Sequence, residues 1–525
     1  MNDKPSISII GSGVGGLFAG ALLAKHGFKV NLFEARPQIG GYLTSWKRGD
    51  YLFESSMHEL NGFYPDDLKL RTFRYLGIFD RVKFIPVQSP YTSVFKDGYK
   101  FTLPHNFDDY AKKLCEEFPE EKKEITKIIN KIKKMSSQVA GYLQEPDFLT
   151  AMKNTPVKYP MLIPGCFQTL AGLVKKIKNP KVKTILTQLF CYYSDNTNKM
   201  NILYFAMPTY SYFNESYYIK GTSAAFSNAL ADIIRENGGT VETNKKVTKI
   251  LFENKKACGV EINDGKEVHK SDLVICNSSL ISTFRNMIDK KDFGGIWRRH
   301  ALNMIPSTSL FVVYFGLKTT PEKLGVKEYC YIINENDDVT KVTKKCRKFF
   351  PHETRPIFFT SYMLDKDMMK DGRFTASLCI TDNEKYWEKY KNDKEAYRAE
   401  KKRITENLIN RIEEHFPGFK DSIEVMEIGT PLTMKKFTLN DGGAVYGAAQ
   451  EWAQTNIFRF PNTFHKKNLY FSSAWATPGG GTSGALISAI GCVSKLLDYY
   501  GIKKEFNDFI LPEAVPGDNR PESVR

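Results

Sequence analysis

The chain of 525 residues holds nine cysteines, and no two of them form a C-x-x-C pair or lie close together. That spacing excludes a disulfide framework and a zinc site, and it fits reduced thiols in a cytoplasmic setting. The eight histidines are as dispersed, and none makes an H-x-x-x-H ligand pair, so no metal is expected. No G-x-S-x-G motif or Ser-His-Asp arrangement supports hydrolysis. Internal repeats and low-complexity tracts are absent, apart from a polar tail over 511–525 that is expected to be mobile. Long apolar runs are scarce too. Residues 5–24 carry no charge, but glycines break the run and Lys4 is the sole basic residue before it. A signal peptide or membrane span is therefore not expected there, and no other segment approaches spanning length. A cytoplasmic protein, at most peripheral to a membrane, is the expectation.

What is present describes a globular enzyme-sized chain: 42% hydrophobic and 26% charged residues, long enough for two interleaved domains. The net charge is +16, from 75 Lys+Arg against 59 Asp+Glu. Such an excess favours anionic partners. No nucleic-acid motif accompanies it, which leaves an anionic lipid surface or simply solvated lysines.

The most informative stretch is 7–41. Ile7–Ile10 is a short apolar run suited to a buried parallel strand, and Gly11-Ser12-Gly13-Val14-Gly15-Gly16 supplies G-x-G-x-x-G spacing. An Ala/Leu-rich helical stretch follows, then a second strand over Phe28–Phe33 ending in Glu34. This is the βαβ order of a dinucleotide fold, with the acid about twenty residues after the glycines. Gly11 permits the tight turn, Gly13 lets backbone approach a pyrophosphate, and Gly16 allows close helix–strand packing. The helix N-terminus presents free N–H groups and a positive dipole end to the phosphates. Glu34 is placed to accept hydrogen bonds from the adenosine ribose. Arg36 could instead clamp a 2′-phosphate, but Glu34 repels one.

Further along, Ile125, Ile128, Ile129 and Ile132 mark an amphipathic helix within 107–135, with Pro119 at its start. Residues 156–178 combine proline breaks, an apolar patch (Met161, Leu162, Ile163, Phe167) and Lys175, Lys176 and Lys178. That mixture suits either a membrane interface or an ordinary buried element. Residues 190–218 are dense in aromatics, among them Tyr192, Tyr193, Tyr204 and Tyr212. They suit the wall of a pocket for a long apolar ligand, or a plain aromatic core. Alternating apolar and aromatic strands over 307–318 and 356–380, with a helix through Ile404, Leu408 and Ile412, read as a sheet and its covering helix. At the C-terminal end, Leu469–Ser472 reads as a strand and Pro478-Gly479-Gly480-Gly481 as a loop opening a helix over Gly484–Leu497. Its free N–H groups and dipole end would face an anion or a polarised oxygen.

With Gly40-Gly41 following Glu34-Ala35-Arg36, the N-terminal stretch resembles the large flavoprotein group of amine oxidases and phytoene desaturases, where a Glu–x–Arg–x–x–x–Gly–Gly segment contacts FAD. The central YIKGT…GG, the Pro431…Gly443…Tyr446-Gly447 stretch and the C-terminal TPGGGTSGA extend the likeness over both ends and the middle. The chain thus resembles the family that joins phytoene desaturases, carotenoid isomerases and retinol saturase. The resemblance implies non-covalent FAD held by Gly11, Gly13, Val14, Gly15, Gly16, Glu34, Ala35, Arg36, Gly40, Gly41, Val247, Gly480, Gly481, Thr482 and Ser483. It implies an α/β fold: a Rossmann-like FAD-binding domain split over 1–75, 216–290 and 425–505, with an interleaved α+β substrate domain over 76–215 and 291–424. The substrate it implies is a long hydrophobic polyene, isoprenoid or unsaturated lipid delivered from a membrane.

Two positions depart from the family's pattern. Glu54-Ser55-Ser56-Met57-His58 keeps the acid and histidine of an acid–x–Gly–x–His motif but has Ser56 for glycine, and Ser473 stands where a strand end is often glycine. His58 and Glu54 are the acid/base candidates, because histidine ordinarily titrates near neutrality. One dinucleotide unit is visible, so the electron donor or acceptor is a quinone, oxygen, a protein or transient nicotinamide. Saturation, isomerisation and desaturation remain open, as do flavin-assisted hydration of unsaturated fatty acids and a non-catalytic lipid-binding role.

Overall fold

The computed structural model describes residues 4–502, apart from 64–66, 144–147, 195, 214, 341–350 and 456–457. The mobile tail expected over 511–525 lies outside the described residues.

Short strands, the central ones rich in Ile, Val and Leu, build a six-stranded sheet in the order Thr240–Glu242, Lys29–Phe33, Ser6–Ile10, Leu273–Cys276, Leu469–Phe471, Thr463–Phe464. The first five run parallel and the last is antiparallel. The four inner strands are buried over nearly their whole length and need cover on both faces. One face takes the helices Val14–Lys25, Ser223–Glu236 and Gly481–Tyr499, which pack through Leu17, Phe18, Leu230, Ile234, Ala489 and Val493. Val14–Lys25 has no polar side because every residue from Val14 to Ala24 is buried. The other face takes an antiparallel meander, Val247–Glu253, Lys256–Ile262 and Glu267–Lys270, joined to the sheet through Val247, Ile250, Val260 and Val274.

A second, eight-stranded sheet carries the rest. Its path is Ile423–Gly429, Ser309–Leu317, Arg373–Asp382, Ile357–Thr360, Cys330–Asn334, Thr92–Phe95, Lys100–Thr102, with Met369–Lys370 paired to Arg373–Asp382. Period-two alternation sorts its residues. Phe311, Val313 and Phe315 pack against Ile404, Leu408 and Ile412 of helix Lys394–Glu413. Val312 and Tyr314 face a helical layer that includes Phe107–Glu117, Lys122–Leu143 and Ile202–Tyr212.

Strand Ile423–Gly429, which spans the expected start of the last flavin-side segment at 425, pairs with Ser309–Leu317 of the second sheet. The helix expected to start at Pro119 runs over Lys122–Leu143 after the 3₁₀ turn Pro119–Glu121, and a separate helix, Phe107–Glu117, precedes it. Pro119 has no N–H to continue the first helix.

Candidate flavin site and substrate cavity

The glycine motif sits where the first strand ends and helix Val14–Lys25 begins. A Cβ on Gly16 would lie 2.2 Å from the Gly11 carbonyl oxygen, so only glycine fits. Asn277 follows strand Leu273–Cys276 and braces the turn, its Nδ2 donating to Gly13 O at 2.9 Å and Gly11 O at 3.3 Å. Ser472, after strand Leu469–Phe471, donates its hydroxyl to Gly15 O at 2.7 Å. Neither Asn277 nor Ser472 belongs to the motif. Their position, one residue beyond a strand at the sheet's carboxyl edge, is the signal that could have singled them out.

Glu34 accepts from Ser12 N at 2.8 Å, from the Ser12 hydroxyl, and from Arg36 N at 2.8 Å. It is thereby fixed at the mouth of the turn. Gly40 N donates to Ser12 O at 3.1 Å, bringing the Gly40-Gly41 pair beside Gly13. The Glu34 carbonyl accepts from Lys245 N at 2.7 Å, which seats the Val247 strand at the same edge, with Ala35 between the bonded residues Glu34 and Arg36.

These residues fit FAD. Helix Val14–Lys25 is capped by Gly13 with no side-chain bond to its free N–H groups, and helix Gly481–Tyr499 is capped in the same way by Gly480. Both termini are thus open to an anion or a polarised oxygen. The buried Arg36 Nε has no hydrogen-bond partner, a donor that a phosphate beside it would satisfy. Thr482 and Ser483 lie in the first turn of Gly481–Tyr499, and Tyr446 packs 3.6 Å from the Cβ position of Gly481.

Tyr446 also lines a narrow cavity of about 30 Å³. Tyr42, next to the Gly40-Gly41 pair, joins it with Ser55, Ser56, His58, Tyr192 and Phe358. The cavity therefore adjoins both glycine loops. Its titratable walls are held neutral by burial: His58 is pulled down to about 4, Cys379 is pushed up to about 12, and Tyr192 and Tyr446 are raised.

The structure separates the expected acid/base pair. His58 reaches the cavity, its Nδ1 lying 3.3 Å from the Tyr192 hydroxyl, but its pKa falls well below neutrality. The rationale of a histidine titrating near pH 7 does not hold, because burial disfavours the charged ring. Glu54 is buried behind the cavity wall. It accepts from Ser223 N and the Ser223 hydroxyl at 2.7 Å each, from Met57 N at 3.1 Å and from Ser56 N at 3.2 Å. Burial raises its pKa and those four donors oppose the rise. Its observed role is to clamp the start of helix Ser223–Glu236. Ser56 uses its hydroxyl to bind Tyr42 O at 2.8 Å, closing the loop that a glycine would leave free.

A family model described as flavin containing amine oxidoreductase matches residues 14–370. The chain belongs to that family. FAD is its cofactor, and it is an FAD-dependent oxidoreductase. Within this flavoprotein family the chain is 25% identical to an all-trans-retinol 13,14-reductase of Danio rerio, over 93% of this chain and 85% of that protein. It is 24% identical to prolycopene isomerase 1 of an Oncidium hybrid cultivar (95% and 84% covered). It is 25% identical to a 1-hydroxycarotenoid 3,4-desaturase of Flavobacterium sp. (strain P99-3), with 92% and 96% covered. The cyclohexylamine oxidase of Brevibacterium oxydans IH-35A shares the fold at a TM-score of 0.61 and 13% identity, covering 96% of this chain and all of that one. Among the described residues no helix is long and apolar enough to cross a membrane.

Proposed function

We propose that this flavoenzyme acts on carbon–carbon double bonds of a long hydrophobic polyene. The observation that carries the reading is the cavity itself, which adjoins both glycine loops and whose titratable wall groups are held neutral. An apolar chain loses nothing on entering such a site, whereas a cationic amine would forfeit its hydration. The reductase, isomerase and desaturase relatives agree with that substrate class.

FAD, when bound, supplies two-electron exchange with a substrate carbon at its N5. The chain's own residues do the rest. Tyr42, Phe358 and Tyr446 give flat walls that orient a conjugated chain and exclude water. Neutral His58, beside the Tyr192 hydroxyl, can take a proton from the neighbouring carbon as a base, or relay one by gaining it at one ring nitrogen while losing it from the other. Desaturation would use the first route and saturation the second, with the proton drawn from solvent.

Substrate entry is proposed through a membrane-facing ridge. Val157 is 84% exposed and Phe167 70%, with Ile163 exposed between them and Lys153, Lys158, Lys175 and Lys176 exposed nearby. Gly165, in the same ridge, abuts Leu203 of helix Ile202–Tyr212, whose Tyr212 stacks on the cavity residue Tyr192. Apolar tips flanked by lysines suit an anionic lipid surface.

The test is accurate mass of polyene products after incubation with the FAD-loaded protein, with and without reductant. A gain of two hydrogens assigns saturation, a loss of two desaturation, and an unchanged mass with shifted retention isomerisation. No product from retinoid or carotenoid substrates under any condition overturns the reading.

A further inference from the structure

Arg459 plays no part in the reading above, yet its surroundings are unusual for a cation. It is 3% exposed. Its Nη2 donates to Gln450 Oε1 and its Nη1 to Ala448 O at 3.4 Å, while the buried Nε has no partner. Both acceptors are neutral, and among the described residues no carboxylate pairs with it. Burial lowers its pKa only to about 10, so the charge persists at neutral pH. A buried cation without a counter-ion costs several kcal/mol, on the order of the whole stability margin of a domain. A position of that kind needs a compensating negative charge.

The surroundings say where the charge is directed. A Cβ on Gly479 would lie 2.4 Å, 2.5 Å and 2.6 Å from Nη2, Cζ and Nε of Arg459. Those near-equal distances set the Gly479 Cα over the guanidinium, a contact only glycine permits. The Tyr204 hydroxyl reaches Gly479 O at 3.4 Å from the other side. Gly480 and Gly481 then open helix Gly481–Tyr499, whose free N–H groups and positive dipole end point out of the same loop. Two sources of positive potential, a guanidinium and a helix terminus, thus converge on one short loop. Oxidised isoalloxazine is neutral; on accepting two electrons and one proton its pyrimidine edge becomes anionic.

We propose that Arg459 is a charge-positioning residue for the cofactor: through the Gly479–Gly481 loop it favours the anionic reduced flavin over the oxidised form. The inference rests on FAD binding and not on the polyene reading, and its test uses no substrate.

The experiment compares midpoint potential and affinity for oxidised FAD in the wild type, Arg459→Gln and Arg459→Lys. Arg459→Gln is expected to shift the reduced-to-oxidised equilibrium at least tenfold toward oxidised flavin, about 30 mV in potential for a two-electron couple. Oxidised FAD should bind within threefold of wild type, and Arg459→Lys should keep the potential within 10 mV, a shift of roughly twofold. An unchanged potential in Arg459→Gln overturns the proposal. So does equal weakening of both FAD redox states, which would assign the charge to the pyrophosphate. Gln450→Glu covers a variant that fails to load FAD, because it sets a carboxylate against an arginine left in place. It should lower the potential by a similar amount, and no change there also overturns the proposal.

Discussion

Glu54 accepts hydrogen bonds from both the backbone N–H and the hydroxyl of Ser223, 169 residues away in sequence. The bond pair ties the strand before the cavity loop to the first turn of helix Ser223–Glu236. Replacing Glu54 by Ala strands the four donors that bind it and should cost about 3 kcal/mol. Urea denaturation at neutral pH measures this, and a loss under 1 kcal/mol would contradict it. Glu54→Gln should recover only part, because its amide nitrogen meets donors where the carboxylate met them.

Gly16 sits too close to Gly11 for any side chain. Gly16→Ala would bring a methyl to 2.2 Å from the Gly11 oxygen and push the helix off the turn. Flavin content, read as the ratio of absorbance near 450 nm to that at 280 nm, should fall at least tenfold. Full occupancy would show that the turn can open without losing the cofactor.

Beside the cavity histidine in sequence lies a second buried group, Glu59, which has no cation paired with it among the described residues. Burial lifts its pKa from 4.5 to about 8, with the Tyr212 hydroxyl opposing weakly. A carboxyl whose folded pKa is raised stabilises the fold fully below the unfolded value and loses that contribution as pH climbs through the folded one. Stability should therefore decline from about pH 4.5 towards pH 8, by at most ~1.4 kcal/mol per unit. Glu59→Gln should remove this decline between pH 6 and 8. Identical urea midpoint shifts in variant and wild type over that range would refute it.

His58 runs the other way. Its folded pKa of about 4 lies below the ordinary 6.5, so its contribution is present above pH 6.5 and lost on acidification towards 4. Between pH 6 and 8 the ring stays neutral, and kcat should show no inflection assignable to it. His58→Phe should retain FAD and lower kcat by a factor of roughly 100, within the usual span for a proton-handling group. Near wild-type turnover in that variant would remove His58 from the chemistry.

The exposed ridge gives a test of membrane contact. Val157→Asp combined with Phe167→Asp removes two apolar tips and adds two like charges facing the lipid. Co-flotation with phosphatidylserine-containing vesicles should fall at least tenfold, with melting temperature unchanged. Equal flotation of the double variant would place the contact elsewhere or nowhere.

The sequence made the parts governed by local geometry readable. Gly11 to Gly16 are dictated by a turn and a helix start within one short stretch, and the helix through Ile404, Leu408 and Ile412 by periodicity. The cavity was not readable, because Tyr42, His58, Tyr192, Phe358 and Tyr446 come from separate stretches brought together by two sheets. Residue identity alone gave His58 an ordinary titration, whereas its pKa is set by burial that only the packed fold creates. Arg459 escaped notice for a related reason. A lone arginine beside Phe458 and Phe460 looks like a surface charge until the structure shows it buried.

The interleaved order of the six-stranded sheet also constrains how this protein is made. Strand Leu469–Phe471 pairs with Leu273–Cys276 and supplies Ser472 to the first glycine turn, yet it leaves the ribosome long after both. Until it emerges, Val274 and Cys276 present an unpaired apolar edge and the turn at Gly15 lacks its brace. A flavin site that depends on both strands is complete only once the C-terminal one has paired.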